Sequence, residues 1–430
     1  VIGTGYVGLV SGVCFSDFGH DVVCVDKDQQ KIDRLNAGEV PIYEPGLDDV
    51  MKRNVAAGRL SFTVDLKSAL DETDAVFLAV GTPTRRGDGH ADLTFVFQAA
   101  EEVALALSGY TVIVTKSTVP VGTNRKVAEL VAKANPELDF DVASNPEFLR
   151  EGAAVADFMR PDRVVVGVES DRAKDVMAEI YRPLFLREFP IVYTDLESAE
   201  IIKYAANAFL ATKISFINEI AALCEAAGGD VKAVSKGMGL DGRIGSKFLH
   251  AGPGYGGSCF PKDTQALVKI GEDFNVPMSI TETVVDVNTA VKERMVDKIV
   301  DLCGGTVEGC TLAILGVTFK PETDDMREAP SLTIIPALQA AGAKIRVVDP
   351  QGRHEGEALL PGADWIEDAY DAATEADAVV LLTEWNEFRA LDLGRVATAM
   401  ATPRMADLRN IYSAEDATKA GFVSYVSVGR

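Results

Sequence analysis

Apolar residues are arranged along this chain in two rhythms. Short unbroken runs of Val, Ile, Leu and Ala between polar turns predict strands buried on both faces, at Val22 to Val25, Ala75 to Val80 and Thr111 to Thr115, and again from Thr311 onward. Between them lie stretches with helical spacing. The longest starts at Thr194, which spells a T-x-x-E capping box with Glu197. It continues through Ile201, Ala205, Phe209, Ile217, Ile220 and Leu223 until Gly228 and Gly229 stop it. Such a helix would be roughly 50 Å long at 1.5 Å per residue, a spine between two lobes and a surface for a dimer. Strands and helices alternate on both sides of it. The prediction is an α/β chain of two Rossmann-like doubly wound domains, joined by the long central helix and a small helical domain, with divisions at 1–194, 195–300 and 301–430.

The second α/β unit echoes the first. Gly342 to Pro350 (G-A-K-I-R-V-V-D-P) parallels Gly19 to Lys27 (G-H-D-V-V-C-V-D-K), and Asp377-Ala378-Val379 parallels Asp74-Ala75-Val76. The turns differ. The first unit opens with Gly3, Gly5 and Gly8 as G-x-G-x-x-G, followed by an apolar helix to Phe18, a strand, and Asp26. The first glycine permits a tight turn, the second lets backbone approach a pyrophosphate, the third lets helix pack on strand, and the acid takes ribose hydroxyls. An acid there disfavours a 2′-phosphate, so the expected cofactor is NAD rather than NADP. The second unit keeps only Gly316, then Phe319 and Lys320. Either Lys320 holds a diphosphate there in place of a glycine cradle, or the duplicate lobe is structural. The strand ends at Gly81-Thr82-Pro83 and Lys116-Ser117-Thr118 lie where such sheets bind ligands, so Ser117 and Thr118 are expected to meet one.

Charge narrows the partners. With 65 acidic against 42 basic side chains, a net of −23 repels nucleic acid and anionic membranes. No run approaches the ~20 apolar residues of a membrane helix. The apolar start has neither a basic leader nor a cleavage site, so it is not read as a signal peptide, and with Val at position 1 the first strand reads as shortened. Cys14, Cys24, Cys224, Cys259, Cys303 and Cys310 form no C-x-x-C pair, and the four histidines show no zinc spacing. A reducing cytoplasm and no metal are expected.

The chemistry concentrates in Gly256 to Asp263, G-G-S-C-F-P-K-D, where Cys259 stands at the junction of a glycine turn and a helix whose first turn accepts Pro261. Unsatisfied N–H groups at a helix start, with Lys262 beside them, favour thiolate over thiol. The same pattern suits a small buried hydrophobe after a flexible loop. Cys259 and Asp263 are four apart and share a helix face, as do Lys203 and Asn207 in the spine. A lysine among core residues either snorkels to water or, desolvated, serves an anion such as a developing oxyanion.

Three strings in order, S-N-P-E-F-L-R-E-G at Ser144 to Gly152, K-Y-A-A-N-A-F at Lys203 to Phe209, and the cysteine string, lie between the fingerprint and the second lobe. Over nearly its whole length the chain resembles the nucleotide-sugar 6-dehydrogenases of the UDP-glucose/GDP-mannose dehydrogenase family. The resemblance implies an NAD-dependent four-electron oxidation of UDP-glucose to UDP-glucuronate through a Cys259 thiohemiacetal and thioester. Lys203 and Asn207 would steady an oxyanion, Asp263 order water, Glu147 act as base in thioester hydrolysis, and Thr118 position water. It assigns Asp26, Lys31, Thr82, Thr118, Glu151, Lys262 and Arg327 to NAD. To the substrate it assigns Glu147, Phe148, Leu149, Arg150, Glu151, Lys203, Asn207, Phe248, Leu249, His250, Ala251, Gly252, Gly256 and Lys320. Arg243 would reach a neighbouring subunit's site, so a homodimer or higher homo-oligomer is implied. Phe260 and Gly152 favour UDP-glucose over the alternative substrate GDP-mannose. A short-chain epimerase would need Tyr-x-x-x-Lys, which no tyrosine here begins; a silent NAD-binding regulator would not need a reactive Cys259.

Overall fold

The structure, a computed structural model, describes residues 1–85, 89–185 and 189–430. Two compact units, Val1–Ala206 and Asn207–Arg430, divide the chain within a continuous 32-residue helix, Leu196–Ala227.

In the first unit the strands are β1 (Val22–Val25), β2 (Leu60–Thr63), β3 (Ala75–Leu78), β4 (Thr111–Thr115), β5 (Phe140–Ser144), β6 (Val164–Gly167) and β7 (Ile191–Thr194). Ile2 forms parallel bridges to Val25 on one side and Leu78 on the other, so it takes the central place between the β2–β1 pair and the row β3-β4-β5-β6-β7. Neighbours are parallel except β5 and β6, which meet antiparallel at Ser144 and Gly167. Fully buried β4 shows why the runs lack alternation: side chains on both faces enter cores, one around Val112 and Val114, the other around Ile113.

The second unit has β8 (Thr311–Leu315), β9 (Lys344–Val348), β10 (Asp364–Trp365), β11 (Ala378–Leu381), β12 (Arg404–Asp407) and β13 (Ser424–Ser427), all parallel in the order β10-β9-β8-β11-β12-β13. One face is covered by Ile217 and Ala221 of the spine helix and by Met295 and Ile299 of the helix Ser279–Leu302. Both units are thus doubly wound, as expected.

The T-x-x-E box at Thr194 is not formed. Thr194 still belongs to β7, paired with Gly167, and the cap is Asp195, whose carboxylate accepts the Ser198 N–H at 2.7 Å and hydroxyl at 2.9 Å. Strand pairing delays the helix by one residue and a stronger acceptor takes the orphan amide; Glu197 turns to Arg125 at 2.7 Å. Among the described residues no helix is long and apolar enough to cross a membrane.

Candidate active site

In the first unit the sheet changes direction of winding at Ile2, and the fingerprint sits at that point. Gly3 has φ +97°, and a Cβ on it would lie 2.7 Å from the Ala79 carbonyl oxygen; a Cβ on Gly8 would lie 1.9 Å from that of Gly3. Gly5, the N-cap of the helix Tyr6–Asp17, differs: a Cβ there would meet no atom of the described residues within 4 Å. The first and third glycines are therefore needed by packing, while the middle one keeps a helix start open to an anion.

Asp26 ends this arrangement after β1. Its Oδ2 accepts the Thr4 N–H at 2.8 Å and hydroxyl at 2.7 Å, with Lys31 Nζ at 3.4 Å. Burial pushes the Asp26 carboxyl up, but the bonds from Thr4 and the Asp28 amide, with Lys31, outweigh it and hold it below the usual carboxylate range. A glycine cradle at a helix start and an ionised acid beyond the next strand fit a dinucleotide with free ribose hydroxyls.

The Thr82 hydroxyl donates to the Thr118 carbonyl at 3.0 Å, joining the ends of β3 and β4. Ser117 departs from expectation, since its hydroxyl turns inward to the Val80 carbonyl at 2.6 Å. Just beyond, Glu200 on the spine helix accepts the Gly122 N–H at 2.6 Å and the Asn124 N–H at 2.9 Å and so anchors the loop carrying Thr118.

Glu147 and Lys203 are both buried and paired. Lys203 Nζ donates to the Glu147 carbonyl at 2.7 Å and to its Oε1 at 3.1 Å, so this lysine does not snorkel. Glu147 Oε2 accepts the Leu149 N–H at 2.5 Å. The Phe148 ring carries the Arg163 guanidinium at 3.5 Å and Lys203 Nζ at 5.3 Å, distances suited to cation–π attraction. Arg150 is exposed and paired with Asp157. Beyond half-buried Glu151, Glu44 pins the loop by accepting the Gly152 and Ala154 N–H groups, both at 2.7 Å, and the Tyr6 hydroxyl.

In the second unit Cys259 is the N-cap of the 14-residue helix Phe260–Asp273, with Pro261 in its first turn and the Asp263 N–H donating to the Cys259 carbonyl at 2.8 Å. Ser258 Oγ lies 3.6 Å from its half-buried sulfur. Asp263, 1% exposed, joins two expected residues: Oδ1 takes Lys262 Nζ and Oδ2 takes Asn207 Nδ2, each at 2.6 Å. A Cβ on Gly256 would stand 2.4 Å from the Glu328 carbonyl oxygen, and one on Gly257 would stand 2.7 Å from the Phe319 ring. Asn288 clamps the Tyr255 backbone at 2.8 and 3.0 Å, and Lys292 Nζ reaches the Glu328 carbonyl at 3.1 Å. The cysteine turn is therefore held on three sides.

Arg327 is exposed and bonded to Asp325 at 2.7 and 2.8 Å, while Lys320 Nζ lies 5.3 Å from the Phe319 ring. Phe248 has φ +65° and sets its ring edge-on to Phe260 at 6.0 Å. Leu249 and Ala251 are buried, His250 is exposed, and the Gly252 N–H reaches Asn218 at 2.9 Å. Leu249, His250 and Ala251 line a cavity of about 450 Å³ together with Lys232, Arg409 and Asn410. Arg243 stands apart on the surface, 89% exposed beside Asp241.

Residues 1–185 match the NAD binding domain of the UDP-glucose/GDP-mannose dehydrogenase family, 197–290 its central domain, and 313–414 its UDP binding domain. The chain belongs to this family. It is 58% identical over 432 residues to a UDP-glucose 6-dehydrogenase of Rhizobium meliloti, covering all of this chain and 99% of the relative, and 49% identical to one of Bacillus subtilis, covering 100% and 92%. A solved UDP-glucose dehydrogenase of Pyrobaculum islandicum superposes with a TM-score of 0.92 at 38% identity, covering 100% and 96%. The protein is accordingly an NAD-dependent oxidoreductase, and the cradle at Gly5 lies inside the family's NAD binding domain.

Several residues that hold the candidate site's loops escape a motif reading. Lys116 and Asn145 stand inside strings already singled out, but their charge and amide point into the fold. Glu44, Glu200, Asn288 and Lys292 act on loops distant in sequence, and no local spacing announces them.

Proposed function

We propose that the chain oxidises UDP-glucose to UDP-glucuronate, with the domain division 1–194 for NAD, 195–300 for the cysteine and the dimer contact, and 301–430 for the UDP-sugar. The observation that carries the reading is Cys259 at a helix N-cap, with Asp263, Asn207 and Lys262 linked beside it. Converting the C6 hydroxymethyl group to a carboxylate removes four electrons as two hydrides and adds one water. NAD, held by the Gly3–Gly8 turn and Asp26, would supply the hydride acceptor, two equivalents for each sugar.

The chain supplies the rest. The Cys259 thiolate adds to the aldehyde carbon, forming a C–S bond and a thiohemiacetal; loss of the second hydride leaves a thioester. Water then attacks, and the C–S bond breaks to return the thiolate. Glu147 takes the proton of that water, with Lys203 and Asn207 steadying the oxyanion and Thr118 and Asp263 placing the water. The diphosphate is met by Lys320, while the uridine end lies against the segment Phe248 to Gly252. Relatives of high identity that are UDP-glucose 6-dehydrogenases favour this substrate over GDP-mannose.

Phe209, Phe216 and Leu223 recur every seven residues along the spine helix and are 66%, 44% and 61% exposed, with Leu240 at 78% nearby in sequence. So apolar a stripe suits a second copy of the chain, with Arg243 reaching the neighbour's substrate. The test is stoichiometry: UDP-glucose and GDP-mannose are each supplied with excess NAD and the NADH counted. Two NADH per UDP-glucose and no turnover of GDP-mannose are expected; one NADH with free aldehyde as product contradicts the mechanism.

A further inference from the structure

Lys116 is a buried cation that the proposed chemistry leaves without a task. It follows β4 and is 4% exposed, and its Nζ donates to Asn145 Oδ1 at 2.9 Å and to the Tyr181 hydroxyl oxygen at 3.2 Å. The rings of Phe158 and Tyr181 lie 5.6 and 5.9 Å away. Tyr181 donates to the same Asn145 oxygen at 2.6 Å, and Asn145 Nδ2 donates to the Val165 carbonyl at 2.7 Å, so the whole amide is engaged. Among the described residues no carboxylate forms an ion pair with Lys116. A buried ammonium without a direct counter-ion is a destabilising element, and a role in presenting charge is the compensation to look for.

The charged groups acting on Lys116 are Glu147, in the loop that follows Asn145, and Lys203, on the spine helix. Burial pushes its pKa down to about 7, against the pull of Glu147 and with the push of Lys203. Tyr181, the titratable group on the third neighbouring element, is held neutral because burial raises its pKa well above the ordinary tyrosine value.

We infer that Lys116 is a positioning residue for Glu147: through Asn145 it fixes the turn that presents the carboxylate, and its positive charge favours the ionised form. The inference rests on the reading of Glu147 as the base in thioester hydrolysis. Among the described residues Lys203, paired with Glu147 at 3.1 Å, and Arg163 are the other cations acting on that carboxylate, so loss of the Lys116 charge removes one of three and moves the acid limb of turnover to higher pH.

The test is the pH profile of kcat with UDP-glucose and NAD for Lys116→Met, Lys116→Gln, Lys116→Arg and Glu147→Gln. Both neutral variants should shift the acid limb up by about half a pH unit and so lose turnover about threefold on that limb, with the NAD KM within about threefold. Lys116→Arg should leave the limb in its wild-type place, which loss of packing alone would not produce. Lys116→Gln, which still offers Asn145 a donor, keeps the test alive should Lys116→Met fail to fold. A folded neutral variant with an unmoved limb overturns the inference. Glu147→Gln separates the two layers: if it leaves the limb intact, the reading of Glu147 itself fails; if it abolishes the limb while the Lys116 variants leave it unmoved, only the role of Lys116 fails.

Discussion

The two lobes place an aspartate at the same point of the same fold and use it differently. Asp26 follows β1 and accepts from Thr4 N–H and hydroxyl; Asp349 follows β9 and accepts from Val317 N–H at 2.7 Å, Thr318 N–H at 3.1 Å and the Thr318 hydroxyl at 3.2 Å. In the first lobe a Cβ on the neighbouring Gly5 would meet nothing within 4 Å among the described residues. In the second, the place of Gly5 is taken by Thr318, the residue after the amide bound by the aspartate, and the Trp385 indole N–H lies 3.3 Å from both Asp349 and Thr318. The aspartate-to-turn bonds recur in both lobes, while the glycine cradle suited to a dinucleotide is present in the first alone. The second lobe, of which residues 313–414 match the family's UDP binding domain, thus lacks the three-glycine turn of the first.

The largest expected effect falls on the open position. Gly5→Leu should melt like the wild type yet weaken NAD binding by roughly a hundredfold in calorimetry, because the new side chain occupies the cradle rather than the core. Substituting the paired acids should split their roles. Asp26→Asn should weaken NAD about tenfold while costing about 1 kcal/mol of stability, whereas Asp349→Asn should cost about 2 kcal/mol and leave NAD affinity alone. Equal effects of the two on NAD would break the comparison. Trp385→Phe should be smaller still, about 1 kcal/mol for one indole hydrogen bond, again without effect on NAD.

The smallest effect is on acid stability. The folded pKa of Asp26 lies below its ordinary value, so its stabilisation is fully present above that value and is lost as pH falls through the folded pKa. Asp26→Asn should therefore flatten the loss of melting temperature below about pH 4.

Local chemistry was legible in the chain and distant chemistry was not. The bounds of β1 and β4 and the start of β8 coincide with the apolar runs, because strands buried on both faces leave no ambiguity of phase. The run Ala75 to Val80 overshoots β3 by two residues: beyond Leu78 the Val80 carbonyl turns to the Ser117 hydroxyl. Motif residues were found because a tight glycine turn and a capped cysteine are properties of a few consecutive residues. Glu44 reaching across 108 residues to Gly152, or Lys116 meeting Tyr181, depends on tertiary contacts that no spacing encodes. The misplaced cap at Thr194 has the same origin, since the end of β7 is set by its partner strand.

The account stands most directly on the sulfur of Cys259. Turnover of UDP-glucose with NAD, quenched in acid and digested, should yield the peptide carrying Cys259 with a mass increase matching the sugar nucleotide joined through its C6 carbon, and Cys259→Ser should abolish that peptide. A wild-type enzyme that makes acid while this cysteine is never found modified would contradict the account.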